Sequence, residues 1–224
     1  MSQQEIQKQL ATVYDDYRSQ HMKNTVDALD KYPGGREKVA KGLRKLIDAF
    51  PKNLDTLSKA TLLYDVLTGE IVYNHAQLNT HKTPYTFLDG LFRNQGVCMG
   101  IAELYTVLAT GLGLECMHVV GYADDTVAAG GGLHAWNMLL LDDKKWYFLD
   151  PTFDLHQSPG PRRNWFLKSQ DEMFGHYLDQ RTLRENLNGW QSGAHPLADH
   201  SWQLPLPNHP RTSELRTLFR NIRA

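Results

Sequence analysis

Cysteine is nearly missing from this chain: Cys98 and Cys116 are the only two in 224 residues. Two thiols build no disulfide framework, so a reducing compartment is expected and any cysteine chemistry has to be argued locally. An excess of either charge is missing too. Lysine and arginine number 24 against 25 aspartates and glutamates, a net charge of −1, which leaves no electrostatic footprint for nucleic acid or an anionic membrane as partner. No run of about 18 apolar residues could span a bilayer, and the opening MSQQEIQKQLATVYDD lacks the apolar stretch of a secretory signal, so a cytoplasmic location is expected. There is no internal repeat or low-complexity segment. Asp124, Asp125, Asp142 and Asp143 form no calcium loop, because the alternating acidic pattern with its glycine and closing glutamate is absent. A zinc site from Cys98, Cys116, His118 and His134 would lack the paired C-x-x-C spacing of structural zinc. No metal or cofactor is expected.

What is present is enough apolar material, 41% of residues, to bury a sizeable core in one folded unit with extensions. Ile6, Leu10, Val13, Tyr14 and Tyr17 recur at helical spacing and predict an amphipathic helix from Gln4 to about Asp30. Pro33, Gly34 and Gly35 interrupt it. A second stripe, from Val39 to Phe50, ends at Pro51, and a third helix is predicted from about Leu54 to Leu67 with Gly69 as its C-cap. EIVYNHA is a short β-prone run, and THKTPYTFLDGLFRNQG reads as loop. Val97, Ile101, Leu104, Tyr105, Leu108 and Leu112 then fall on one helical face that Gly111 and Gly113 close. ECMHVVGY, LHAWNMLLL and WYFLD read as strands, the last two joined as a hairpin. ADDTVAAGGG, just before His134, is glycine-rich enough to serve as a mobile lid. Farther on, NWFLKS is β-like, while DEMFGHYLDQRTLRENL and TSELRTLFRNIR are helical. The fold class is α+β, with an all-helical N-terminal segment before a helix and an antiparallel sheet.

Three residues carry chemistry. Cys98 stands at the first turn of a helix, where unpaired N–H groups and the positive dipole end favour a thiolate. Gly96 and Gly100 leave room beside it for a substrate backbone. His134 can take the thiol proton and later return it to a leaving group, and Asp150 can hold the imidazole in one tautomer. The Cys98 N–H would donate half of an oxyanion hole. For His134 and Asp150 to act together they must share a face of the hairpin. An even-numbered loop pairing Leu141 with Trp146 would put them on opposite faces, so an odd-numbered loop or a bulge between Leu139 and Phe148 is predicted. Other residues have plainer readings: Cys116, Trp146 and Phe148 as core, His75, His118 and His156 as structural or surface groups, and Asp154 as a helper to the site or a bond to its own turn. Asn137 either orients the histidine or bonds within the strand. Trp136 is either core or a wall of the cleft.

GVCMGIAELYTVLATGLGLECMHVVGY and LHAWNMLLLDDKKWYFLDPTFD resemble the transglutaminase-like superfamily. The resemblance runs from about Leu62 to Ser169 and rests on a G-x-C-x-G helix start, an H-A-W-N strand and a W-x-x-L-D-P-T strand end. It implies a papain-like core whose central, Cys-bearing helix packs on an antiparallel sheet, with Cys98 as nucleophile, His134 as general base and Asp150 as orienting carboxylate. The second oxyanion donor falls among Gln95, Asn94 and Tyr73, with Gln95 preferred. NWFLKSQDEM and DHSWQLP resemble blocks that follow the core in bacterial members, here separated by an apparent insertion at 174–198. The domains expected are a helical extension over 1–60, a catalytic core over 61–205 and a helical tail over 206–224. The activity implied is that of a cysteine peptidase or amidase acting on peptide or protein substrates through a thioester. Crosslinking of protein glutamine is the second reading, and a non-catalytic binding module that keeps the fold is the third.

Overall fold

The computed structural model describes residues 23–76, 86–124, 131–156, 158, 160–178, 183 and 195–222. The helix expected from Gln4 is seen over 23–31, its earlier part lying outside the described residues. Helix α1 (Gly35–Ala49) follows the glycine pair and stops before Pro51, as expected of a residue that cannot continue a helix. Helix α2 (Thr56–Glu70) starts at Asp55, whose carboxylate accepts the Ser58 N–H in an N-cap bond. It runs past Gly69, which is an interior residue and not the C-cap. A Cβ at Gly69 would meet the Arg216 guanidinium at 2.5 Å, so the glycine is there to admit that side chain.

From Ala60 to Glu70 every residue of α2 is buried, the mark of a helix enclosed on all sides. Its charged side chains therefore need partners. Asp65 is held by Arg163 through both oxygens, at 2.8 and 2.5 Å. Glu70 takes Arg216 and Arg220 of the C-terminal helix α5 (Thr212–Arg220) at 2.7–2.8 Å.

Residues read as loop contain helix α3 (Phe87–Arg93), closed by Asn94 in the left-handed conformation. A short helix with buried Phe87, Leu88, Leu91 and Phe92 draws its stability from packing more than from local preference. Strand β1 (Val72–Tyr73) lies parallel to β2 (Gln95–Gly96), pairing Tyr73 with Gly96. Helix α4 (Cys98–Gly111) begins immediately after β2. It ends in a Schellman closure: Gly113, at φ 80°, and Leu114 donate to the carbonyls of Thr110 and Ala109.

Strands β3 (Cys116–Ala123), β4 (Gly132–Leu140), β5 (Trp146–Leu149) and β6 (His176–Tyr177) form one antiparallel sheet in the order β5-β4-β3-β6. The β4–β5 loop is odd-numbered, as the face argument demands. Leu140 pairs with Trp146, the Lys144 N–H donates to the Leu141 carbonyl at 3.0 Å, and Lys144 is left-handed at φ 63°. That is the three-residue hairpin geometry of a turn followed by a left-handed residue. Register propagation puts Asp150 opposite Trp136, and so on the face of His134.

The two faces bury different things. Cys116, Leu139, Tyr147 and Leu149 face the helices in a core that runs from Val39 to Ile222. Asn137, on the same face, donates to the Ala102 carbonyl at 2.8 Å and to Thr106 Oγ1 at 2.9 Å, bolting β4 to the middle of α4. Met117, Val119, Trp136, Met138, Trp146 and Phe148 form the other face and are covered by Met173, Leu178 and Leu183. The segment read as one helix from Asp171 is thus a 3₁₀ turn over Gln170–Glu172, then β6. Residues 125–130 of the predicted lid, and 179–182 and 184–194 of the predicted insertion, lie outside the described residues.

Gly121 decides how β6 docks. It pairs with His134, and a Cβ there would collide with the Tyr177 carbonyl and meet the Trp136 ring at 2.5 Å. Gly121→Ala should destabilise the fold by about 1–3 kcal/mol, read by urea denaturation, with hydrogen exchange rising first in β6. Unchanged stability and unchanged protection at Tyr177 would contradict this packing.

Candidate active site

Cys98 is the first residue of α4 and partly exposed. Val97 precedes it in extended conformation, so the chain turns sharply into the helix and presents the first N–H groups at the sulfur. The sequence argument assigned Gly100 to substrate access. Its observed role is packing: a Cβ at Gly100 would stand 2.7 Å from the Thr86 carbonyl oxygen, so only glycine lets α4 approach the residue before α3.

The sulfur meets β4 at the His134–Ala135 junction. Burial alone would raise the Cys98 thiol. The hydrogen bond and charge of His134 and the N–H of Ala135 outweigh it and hold the thiol below its ordinary range, against an opposing contribution from Asp150. His134 is buried, and its Nε2 lies 2.6 Å from Asp150 Oδ2, which leaves Nδ1 for the sulfur. Burial would lower its pKa, yet the charge and hydrogen bond of Asp150, with Cys98, carry it to about 10. Both shifts favour the charged form, thiolate for Cys98 and imidazolium for His134.

Asp150 is fully buried. Burial works against its charge, and the charges and hydrogen bonds of His134 and His176 nevertheless bring its pKa to about 2. Each oxygen has two partners. Oδ1 accepts the N–H groups of Thr152 at 2.8 Å and Phe153 at 3.3 Å, the turn that D-P-T-F forms. Oδ2 accepts His134 and, at 3.0 Å, Nε2 of His176.

Of the three oxyanion candidates, Tyr73 is the one with contacts to Cys98. Its hydroxyl bonds both the backbone N–H and the sulfur of Cys98, and burial raises it well above the usual phenol. The β1–β2 pairing that sets Tyr73 beside Gly96 brings it there. Gln95 lies across from Val72 in the same pair. Asn94 caps α3 and donates to the Arg220 carbonyl. Trp136 is buried and stacks on His134, ring centroids 5.7 Å apart at 24°. Asp154 does not reach this cluster's carboxylate. It accepts the N–H groups of Asn164 and Trp165 and lies 2.7 Å from the Tyr64 hydroxyl. Cys116 is core, its thiol pushed up to about 12 by burial.

His176 is the site residue that sequence reasoning missed. It lies in a segment whose apolar spacing reads as helix, and the one contrary signal is Gly175 inside that pattern, which adopts φ 73°. Position 176 pairs with Ala123, which pairs with Gly132, so His176 shares the face of His134 and Trp136. The small residues Gly121 and Ala123 leave its side chain a path across β3. The donor atoms of His134, Asp150 and His176 all lie within 4.8 Å of one another. Their contacts of 2.6 and 3.0 Å are hydrogen-bond lengths. Ligands about 2.0–2.1 Å from a tetrahedral zinc would stand roughly 3.3 Å apart. As drawn together here, the three groups share protons.

Residues 44–151 match the core of the transglutaminase-like superfamily. No curated protein matches the chain. Among solved structures, it is similar to a candidate cysteine protease from Cytophaga hutchinsonii at 22% identity, over 52% of this chain and 37% of that one, with TM-score 0.40. It is also similar to a TGase at 20% identity, over 68% of this chain and 41% of that one, with TM-score 0.43. The chain therefore spans less than half the length of either protein. What the chain shares with the transglutaminase-like superfamily is thus the match over residues 44–151, just under half of its length.

Proposed function

We propose that the protein is a thiol-dependent acyl-transfer enzyme, most simply a cysteine peptidase or amidase, in which Cys98 is the nucleophile, His134 the general base and acid, and Asp150 the residue that orients His134. The observation that carries this is the continuous chain of contacts from the Cys98 sulfur through the His134 ring to a buried Asp150 oxygen 2.6 Å away. A core-filling cysteine would need no such chain, and a binding module would have no reason to keep a carboxylate fully buried behind an imidazole.

The Cys98 thiolate attacks a carbonyl carbon of a peptide or side-chain amide, and the C=O electron pair moves to oxygen. The Cys98 N–H, which the Tyr73 hydroxyl oxygen accepts in the free protein, and the Tyr73 O–H, which bonds the sulfur, then turn to that oxyanion as its two donors. Collapse of the intermediate breaks the C–N bond, and His134 gives its proton to the leaving amine, leaving a thioester. Water, deprotonated by His134, then releases the acid and restores the thiol.

Cys98→Ala should abolish turnover. Tyr73→Phe should lower kcat by about 10²-fold while leaving Cys98 open to alkylation. In the wild type, alkylation of Cys98 by iodoacetamide should have its pH midpoint below the ordinary thiol value of about 8.5. His134→Ala should move that midpoint upward and slow the reaction at neutral pH by tenfold or more, because burial and the Asp150 charge then act on the thiol with only the Ala135 N–H against them. Turnover should decline as pH rises through about 10, where His134 loses the proton that the leaving group needs. If Cys98 reacts like any exposed thiol and His134→Ala changes nothing, the enzyme reading is wrong. Incubating the protein with a mixed peptide pool and an added amine, followed by mass spectrometry, separates cleavage, deamidation and amine incorporation. Cys98→Ala is the control, and predominant amine incorporation would replace hydrolysis by crosslinking.

A further inference from the structure

We propose that His176 is a fourth member of the site, a positioning residue that stands as an imidazolium on the far side of Asp150 and cancels the net negative charge of the Cys98–His134–Asp150 chain. The inference rests on the acyl-transfer reading of that chain and adds to it a residue from outside the matched core.

The first ground is hydrogen-bond direction. His176 Nε2 lies 3.0 Å from Asp150 Oδ2, and its Nδ1 lies 3.2 Å from the Phe174 carbonyl oxygen. Both partners are acceptors only, the carboxylate being ionised. A neutral imidazole has one N–H and can satisfy one of them, whereas the imidazolium satisfies both. Its side chain is only 1% exposed, and a neutral ring would turn a bare nitrogen lone pair on an oxygen lone pair at one of the two contacts.

The second ground is the charge of the surroundings. Thiolate, imidazolium and carboxylate together carry one net negative charge, with His134 and Asp150 buried and only the sulfur partly exposed, which is costly unless another group offsets it. The titratable groups facing His176 are Asp150, after β5, and His134, on β4. On its own strand the neighbour is Tyr177, whose hydroxyl bonds Asp124. Phe153, Trp165 and Trp136 surround the ring with centroids 5.3, 5.0 and 4.9 Å away. These rings pack the imidazole in place and bring no further charge beside it. Asp150 Oδ2 thus sits between two imidazoles, one turned to the sulfur and one tied to the backbone.

The consequence for chemistry has a definite sign. A fixed positive charge lowers the pKa of every group near it, so His176 shifts the pH range of the thiolate–imidazolium pair downward, toward neutrality. It acts through Asp150 and touches neither sulfur nor substrate.

The test has two measurements on the full chain. In ¹⁵N-histidine NMR near neutral pH, both ring nitrogens of His176 should carry protons; a spectrum with one bare nitrogen overturns the proposal. In the second, His176→Gln keeps an N–H donor but removes the charge. It should raise the pH midpoint of Cys98 alkylation by roughly one unit, about a tenfold loss of reactivity below the midpoint, with the maximal rate at high pH retained. A structural role alone would lower stability without moving the midpoint. An unmoved midpoint in a folded His176→Gln protein, or a midpoint moved only by His176→Ala and not by Gln, overturns the charge role while leaving the Cys98 reading intact. A wild-type Cys98 without enhanced reactivity instead removes the reading beneath it.

Discussion

A carboxylate with no exposed surface has to have its charge and its lone pairs met by the protein, and much of this molecule is arranged around that demand at Asp150. The D-P-T-F turn supplies two N–H groups to Oδ1, and β4 and β6 each send an imidazole to Oδ2. The backbone around it is held just as firmly. The Asp150 N–H donates to the Trp165 carbonyl, and its own carbonyl lies 2.9 Å from the Tyr64 hydroxyl at the centre of α2. Tyr64 in turn reaches Asp154, which fixes the loop at Asn164 and Trp165. Each element that approaches Asp150 is therefore positioned by a hydrogen bond whose loss would leave a buried polar group unpaired.

The same requirement explains why the site is drawn from segments far apart in sequence. A helix N-terminus offers N–H groups to a thiolate but no proton acceptor, and a strand offers an imidazole but no tautomer control. Joining them takes a sheet packed across the helix. Asn137 makes that join, donating to α4 at Ala102 and Thr106, one to two turns below Cys98. Tyr73 arrives by a separate route, through a two-residue parallel pair that ends where α4 begins. The sulfur lies where these three arrangements converge.

How much of this was legible beforehand follows from the range of each signal. Cys98, His134 and Asp150 stand in short motifs with local causes: a helix start, a strand start and a strand end. Their mutual face then required an odd hairpin loop, and the left-handed Lys144 provides it. Gly100 was read correctly as a close approach and assigned the wrong partner, because the Thr86 backbone is brought near only by α3, which the pattern showed as loop. Tyr73 ranked below Gln95 because a glutamine shortly before the cysteine fits the papain-like pattern, while strand pairing brings the tyrosine to Cys98. His176 had no local cause at all. Its segment carries helical spacing, and its placement depends on the missing side chain at Gly121 and the small one at Ala123, three strands earlier in the chain.

That dependence gives the segment after the core two linked roles. Met173, Leu178 and Leu183 seal the second face of the sheet over Trp136 and Phe148, and His176, between Met173 and Leu178, is carried into the site by the same packing. Apolar burial and polar contact here cannot be formed separately. Without the cover, the aromatic surroundings of His134 would be wet and the Asp150 charge screened. Without the imidazole, the cover would leave the buried Asp150 Oδ2 with one partner fewer. A segment that did only one of these would make the buried carboxylate harder to hold, so the apolar residues and the histidine are best understood as one device acting on Asp150.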